Sequence, residues 1–381
     1  MKIVADENIP LTDVFFGSLG EVVSIPGRIL QAAQVVDADV LLVRSITRVN
    51  RELLANSKVQ LVASATSGMD HVDVGWLQDQ DIGFVHAPGC NADSVVEYVL
   101  SAINTLSEQP DFVLKDRVVG IIGKGHVGGR LLGRLSASGI RCLVYDPFVP
   151  ATGTEQRAAL DELIQTADII SLHTPLTTEG EHPTFHLLDE RRIGLIRPGS
   201  VLINSSRGPV VDNQALLDRL QQKDIMAVLD VWEQEPDLPL DLLDHVAIGT
   251  PHIAGYSLDA KIRGTGMIYR ALCRYYGLPV RIDINNVMPV PALQGLTFSG
   301  SVQAEEAVTT AVRAVYDVRR DDARLRLALR QGREAVPVIF DRLRKNYPAR
   351  REFRSLKVHL HHATPDVQAL LEGQGFRVIS E

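Results

Sequence analysis

The stretch "VVGIIGKGHVGGRLLGRL", residues 118–135, decides the fold. It opens on an apolar, largely β-branched run, the mark of a buried strand. Three glycines follow at a set spacing: Gly123, Gly125 and Gly128. Leu131, Leu132 and Leu135 then recur at helical intervals. A G-x-G-x-x-G run proves little alone, because glycines mark many turns. Here it closes a strand and opens a helix, and the next apolar run, "IRCLVYD", ends in Asp146, at about the 20-residue separation of a dinucleotide-binding βαβ unit. In such a unit Gly123 permits the tight turn, Gly125 lets the backbone approach a pyrophosphate, and Gly128 lets helix and strand touch. Val127 begins the helix, whose unpaired N–H groups attract phosphate. Asp146 can accept hydrogen bonds from ribose hydroxyls and repel a 2′-phosphate, so NAD is expected rather than NADP. Lys124 and His126, between the glycines, lean on the pyrophosphate or face solvent.

Working outward, the same alternation of strand and helix continues on both sides. Upstream, "KIVA", "VLLVRS", "VQLVASAT" and "IGFVHA" read as buried strands separated by helical pieces. Downstream, "DIISLHTP", "VLINSS", "IMAVLD" and "HVAIGTPHIAG" carry strands to the long helical "SLDAKIRGTGMIYRALCRYYG". Alternation of this kind predicts parallel sheets with crossover helices. "INNVMPVPALQG" reads as a linker. Long charged helical patterns and two short strands after it predict a small α+β domain. The expected organisation is a substrate domain of residues 1–92 and 255–285, a nucleotide domain of 93–254, and a C-terminal domain of 286–381.

Composition narrows the function. Of 381 residues, 45% are hydrophobic and 23% charged, which suits a soluble globular protein. A net charge of −8 argues against a nucleic-acid partner for the whole chain. No apolar run has the length of a membrane span. The opening "MKIVADENIP" lacks the pattern of a signal peptide. Cys90, Cys142 and Cys273 stand far apart, giving neither a disulfide framework nor a metal spacing. A cytoplasmic protein without metal is expected.

In a doubly wound sheet, ligands sit outside the carboxyl ends of the strands. Polar residues recur at those ends: Asp146, His173 with Thr174, Ser205 with Ser206 and Arg207, Asp230, and Thr250 with His252. "LINSSRGPVVD" puts a permanent cation at the mouth of a buried strand. Arg207 there can hold a carboxylate by two points and polarise a carbonyl. "AVLDVWEQEP" places Glu235 in a loop beyond Asp230, and "GTPHIAG" places His252 in the next one. A histidine in such a loop can act as general acid or base, with a carboxylate fixing its tautomer. Taken singly, each of these residues is better explained as a surface group. Beside a nucleotide loop, together they point to hydride transfer.

The stretches "SATSGMDHVD", "GIIGKGHVG", "SLHTPLT", "INSSRGPVVD", "LDVWEQEP" and "TPHIAG" resemble, in that order, the D-isomer-specific 2-hydroxyacid dehydrogenases. The resemblance covers about residues 1–280. It implies a Rossmann NAD domain and a flavodoxin-like substrate domain, both doubly wound, with Arg207, Glu235 and His252 catalytic. "ADENIP", "LLVRSITRVN", "APGCNADSVVEYV" and the tail resemble one branch of that family. That branch implies a small phosphorylated 2-hydroxy acid, 4-phosphoerythronate, as substrate, in pyridoxal 5′-phosphate synthesis. It also implies substrate contacts from Ser45, Thr66 and Tyr256. NAD contacts are implied from Asp146, Thr174, Asp230, Gly255 and the residues around His126–Val127 and Ser206–Gly208, and a homodimer through the C-terminal domain. Arg44, in "VRSITR", is a further candidate for the phosphate. Within the class the alternative is another such dehydrogenase, for example a 3-phosphoglycerate dehydrogenase. Outside it, the alternative is an NAD-sensing corepressor-like binding protein.

Overall fold

The structure is a computed structural model that describes residues 1–108, 112–150, 155–332 and 334–380. The chain divides into two compact units, one of Met1–Ala92 with Ser257–Val290, the other of Asp93–Tyr256 with the chain from Pro291 onward.

The first unit holds five parallel strands: β1 (Lys2–Asp6), β2 (Glu21–Ile25), β3 (Val40–Val43), β4 (Leu61–Ser64) and β5 (Gly83–His86). Their order, β2-β1-β3-β4-β5, is that of a flavodoxin-like sheet. β3 and β4 are buried throughout, which is why they read as unbroken apolar runs. Helix Leu258–Tyr275 lays Ile262, Ile268, Tyr269 and Leu272 on one face of this sheet. Ser257 caps it by accepting a hydrogen bond from the Ala260 amide at 2.9 Å. β2 escaped the sequence reading. It is an edge strand with partly exposed side chains, so its "EVVSI" carries no sustained apolar signal.

The second unit contains a sheet of seven parallel strands: β6 (Val118–Ile122), β7 (Arg141–Tyr145), β8 (Gln156–Arg157), β9 (Ile169–Leu172), β10 (Val201–Asn204), β11 (Met226–Leu229) and β12 (Ile248–Gly249). The order is β12-β11-β10-β9-β6-β7-β8. Chain order reverses between β6 and β9, the Rossmann switch point. The register then places the site. Ile122 aligns with Tyr145 and with Leu172, Leu172 with Asn204, Asn204 with Leu229, and Leu229 with Gly249. All these strands therefore end at one level. Gly123, Asp146, His173, Ser205, Asp230 and Thr250 follow directly, along one edge.

The tail forms a third sheet, of β13 (Gly295–Ser299), β14 (Lys357–His361) and β15 (Arg377–Ser380). One expectation is corrected here. All three strands are parallel and joined through helices, so the tail is α/β rather than α+β. The tail also shares a core with the nucleotide-binding sheet. Ala307, Val312, Phe353 and Leu371 pack in one cluster with Val96, Val99, Leu131 and Leu135. Polar ties cross the same seam. Ser94 donates to Glu352 at 2.9 Å, the Phe353 amide to Glu97 at 2.8 Å, and Ser101 to the Tyr316 carbonyl at 3.0 Å. Helix Ala92–Leu106 is apolar on the face that the tail covers. Among the described residues no helix is long and apolar enough to cross a membrane.

Candidate active site

The glycine loop has the geometry its sequence predicts. Gly123 has φ +92, a left-handed conformation, and its missing side chain leaves room for the His173 carbonyl. A Cβ at Gly128 would stand 1.9 Å from the Gly123 carbonyl oxygen, so only glycine allows helix His126–Ala137 to sit so close. Among the described residues nothing lies within 4 Å of a Cβ position at Gly125, and none caps the helix there through its side chain. His126 is exposed and Val127 half-buried at this open end. The hydroxyls of Thr174 and Ser205 are buried without a partner among the described residues. An open helix N-terminus flanked by orphaned hydroxyls fits a dinucleotide's pyrophosphate and its neighbours.

Asp146 anchors the glycine loop. Its carboxylate accepts the Lys124 amide at 2.7 Å, the Phe148 amide at 2.9 Å and the Val149 amide at 3.1 Å, which ties the glycine loop to the end of β7. Lys124 takes neither place expected of it. Its ammonium pairs with Glu155 at 2.6 Å, with both side chains largely buried. Asp146→Ala is expected to narrow the preference for NAD over NADP. It should also raise the KM for NAD roughly tenfold, because the loop loses charge-assisted bonds. The ratio of kcat/KM for the two coenzymes is the measurement. An unchanged ratio in a folded variant would remove Asp146 from coenzyme selection.

At the mouth of β10 the Asn204 side chain organises the turn. It donates to the Arg207 carbonyl at 3.0 Å and accepts from the Ser206 amide at 3.1 Å and the Ser206 hydroxyl at 2.9 Å. Gly208 fits against the Trp232 carbonyl, where a Cβ would come within 2.0 Å. The Arg207 guanidinium, half-buried, donates to the Ser206 carbonyl at 2.9 Å.

The next two loops meet. His252 Nδ1 and Glu235 Oε1 are 2.5 Å apart, and the other Glu235 oxygen accepts the Trp232 amide at 3.2 Å. Burial pushes the Glu235 carboxyl up, but His252, the Trp232 amide and Arg344 outweigh it and hold the group below its usual range. An ionised Glu235 calls for a proton on Nδ1, which leaves Nε2 as the acceptor. His252 has φ +54, and Asp230 holds it there. The Asp230 carbonyl accepts the His252 amide at 2.7 Å, and its carboxylate accepts the Ile253 and Ala254 amides at 2.8 Å each and the Thr250 hydroxyl at 2.6 Å. Asp230, 1% exposed, thus stands beneath the loop. Gly255 lies in the turn closed by the Tyr256 amide on the Ile253 carbonyl at 2.8 Å. "WEQE" offers two glutamates, and packing tells them apart. Glu233 bonds His186 at 2.7 Å and the Asn213 amide at 3.1 Å. Burial pushes His173 down to about 3, and it bonds Ser171.

Ser45 and Thr66 belong to the first unit, on loops leaving β3 and β4, which are adjacent and parallel. Ser45 is exposed. The Thr66 hydroxyl donates to the Gly68 carbonyl at 3.0 Å and meets Ser64 Oγ at 2.6 Å. Arg44 pairs with the buried Asp6 at 3.1 Å. Lys261, absent from the sequence reading, stands near Arg44; burial and that neighbouring charge lower its pKa. Arg344 was missed too. Both lie in charged helical stretches, where nothing local separates a functional cation from a solvated one.

Residues 102–254 match the model for the D-isomer specific 2-hydroxyacid dehydrogenase, NAD binding domain. Residues 287–372 match a domain of unknown function. The chain is similar to the erythronate-4-phosphate dehydrogenase of Marinobacter nauticus, at 49% identity over 99% of this chain and 100% of that one. It is also similar to the erythronate-4-phosphate dehydrogenase of Chromohalobacter salexigens, at 48% identity over 99% of each. Among solved structures, D-lactate dehydrogenase from Aquifex aeolicus, complexed with NAD and lactic acid, matches 73% of this chain and 96% of its own, with TM-score 0.62 and 25% identity.

Proposed function

Because the chain belongs to the D-isomer specific 2-hydroxyacid dehydrogenase family and uses NAD, we propose that it oxidises 4-phosphoerythronate at its 2-hydroxyl. The observation that carries the chemistry is the His252–Glu235 pair at the strand edge that also bears the open glycine loop. Bound NAD supplies the acceptor for the hydride that leaves C2. His252 Nε2 takes the hydroxyl proton, and Glu235 stabilises the imidazolium that forms. Arg207 holds the carboxylate and the carbonyl oxygen that develops on C2. The substrate loses one hydride and one proton, giving 2-oxo-3-hydroxy-4-phosphobutanoate. Gly123, Gly125, His126, Val127 and Gly128 would cradle the pyrophosphate, with Asp146 at the ribose and Thr174, Ser206, Gly208, Asp230 and Gly255 around the rest. Ser45, Thr66 and Tyr256, with Arg44, would contact the substrate.

The substrate rests on the resemblance along the whole chain, which also places the reaction in pyridoxal 5′-phosphate synthesis. The test is a coupled assay of NADH formation and product mass with 4-phosphoerythronate, 3-phosphoglycerate and D-lactate. Preference for the first is expected; turnover of only the others would overturn the assignment. Three buried free cysteines suit a cytoplasmic setting. The tail, with Leu327 and Val338 exposed on its helices, is proposed to mediate a homodimer. Sedimentation of the full chain is expected to give a dimer, and a monomer throughout the micromolar range would refute it. A truncated chain is the wrong test, since it would strip a shared core.

A further inference from the structure

The C-terminal extension reaches the loop that carries His252. Helix Val336–Lys345 ends in three cations, Arg342, Arg344 and Lys345. Arg342 and Lys345 are exposed, whereas Arg344 turns inward. Its guanidinium carbon lies 5.7 Å from the centre of the Tyr256 ring and 5.6 Å from that of the buried Phe340. Its Nε is buried without a partner among the described residues. Tyr347 packs edge-on against Tyr256, with ring centres 5.7 Å apart, and donates to Asp321 at 2.7 Å. Arg350 completes the grip. It donates to the Ala254 carbonyl at 3.1 Å and the Ser94 carbonyl at 2.7 Å, with its guanidinium 3.5 Å from the Tyr316 ring centre.

We propose that Arg344 is a positioning residue of the active site, acting through Tyr256 and Glu235, so that the C-terminal extension completes the catalytic centre of its own chain. The proposal rests on the dehydrogenase reading above. A guanidinium stacked over a ring restrains that ring more than a solvated side chain would. Tyr256 is the residue of this loop expected to touch substrate, and its ring lies beneath the Arg344 guanidinium. The charge acts as well. The groups around the His252–Glu235 pair are Asp230 from the end of β11, Tyr256 from the same loop and Arg344 from the tail. Asp230 is an acid, and Tyr256 presents a phenol. After His252 and the Trp232 amide, Arg344 adds a cation that favours ionised Glu235, the form that can stabilise an imidazolium.

The sign follows. Without the cation Glu235 binds a proton more readily, so activity is lost at a higher pH on the acid side. Arg344→Met is expected to move the Glu235 carboxyl titration, read by carbon NMR, upward. The acid limb of kcat/KM should move with it, and the KM for substrate should rise roughly tenfold. Arg344→Lys keeps the charge but not the planar fork, so it should restore the titration and the acid limb while leaving KM raised. A role in packing alone would move neither titration nor limb. An unmoved Glu235 titration together with an unchanged KM in folded Arg344→Met would overturn the proposal. The titration needs no substrate. If the wild-type chain fails to turn over 4-phosphoerythronate, the substrate assignment falls, and Arg344 is still judged by the Glu235 signal.

Discussion

Arg207→Ala is expected to lower kcat/KM by a hundredfold or more, about 3 kcal/mol of transition-state stabilisation. The expectation rests on where the side chain is held. Asn204 fixes the Arg207 carbonyl, Gly208 lets the turn close on Trp232, and the guanidinium emerges at the edge where the strand ends align. The loss should fall on kcat as well as KM, because the carbonyl that Arg207 polarises develops only as C2 is oxidised. The side chain is half-buried and donates to the Ser206 carbonyl. Lysine should rescue poorly, since it lacks the two-point fork. Steady-state kinetics beside a thermal melt decide the matter. A near-normal rate in a variant with wild-type melting would remove Arg207 from the chemistry.

His252→Ala should reduce kcat by roughly a thousandfold, the range for loss of a positioned general base. Glu235→Ala should reduce it by a similar order, because its carboxylate holds Nδ1 at 2.5 Å and sets the tautomer. The double variant should be hardly worse than His252→Ala alone. Glu235 has no imidazolium to stabilise once the imidazole is gone, so the pair behaves as a unit. Independent roles would multiply the two losses. A double variant with a loss near that product would show that the pair is uncoupled.

Much of the site was legible before any coordinates. Gly123, Gly125 and Gly128 are local requirements of a turn, an approach and a contact, so their spacing announces itself. Arg207, Glu235 and His252 stand in the loops that follow apolar runs, and a strand end in a parallel sheet has a known edge to face. Weaker signals failed for equally physical reasons. β2 and β8 are edge strands, one half-exposed and one of two residues, and neither has an apolar run to display. Lys124 lies inside the glycine motif, yet its partner Glu155 comes from beyond the next strand.

Periodicity and turn chemistry by themselves determined the two doubly wound sheets, the nucleotide loop and the strand-end residues, because each is a property of neighbouring residues. Tertiary structure decided how the tail is used. Amphipathic helices after a proline-rich linker are compatible with a separate domain, and only packing shows Phe353 and Leu371 in one core with Val96 and Leu135. The same holds for "DRLRKNY". Its cations look alike along the chain, but burial against the loop of His252 turns Arg344 onto Tyr256 and leaves Arg342 and Lys345 outside. A charge acquires its role from what surrounds it, and those surroundings come from residues distant in sequence.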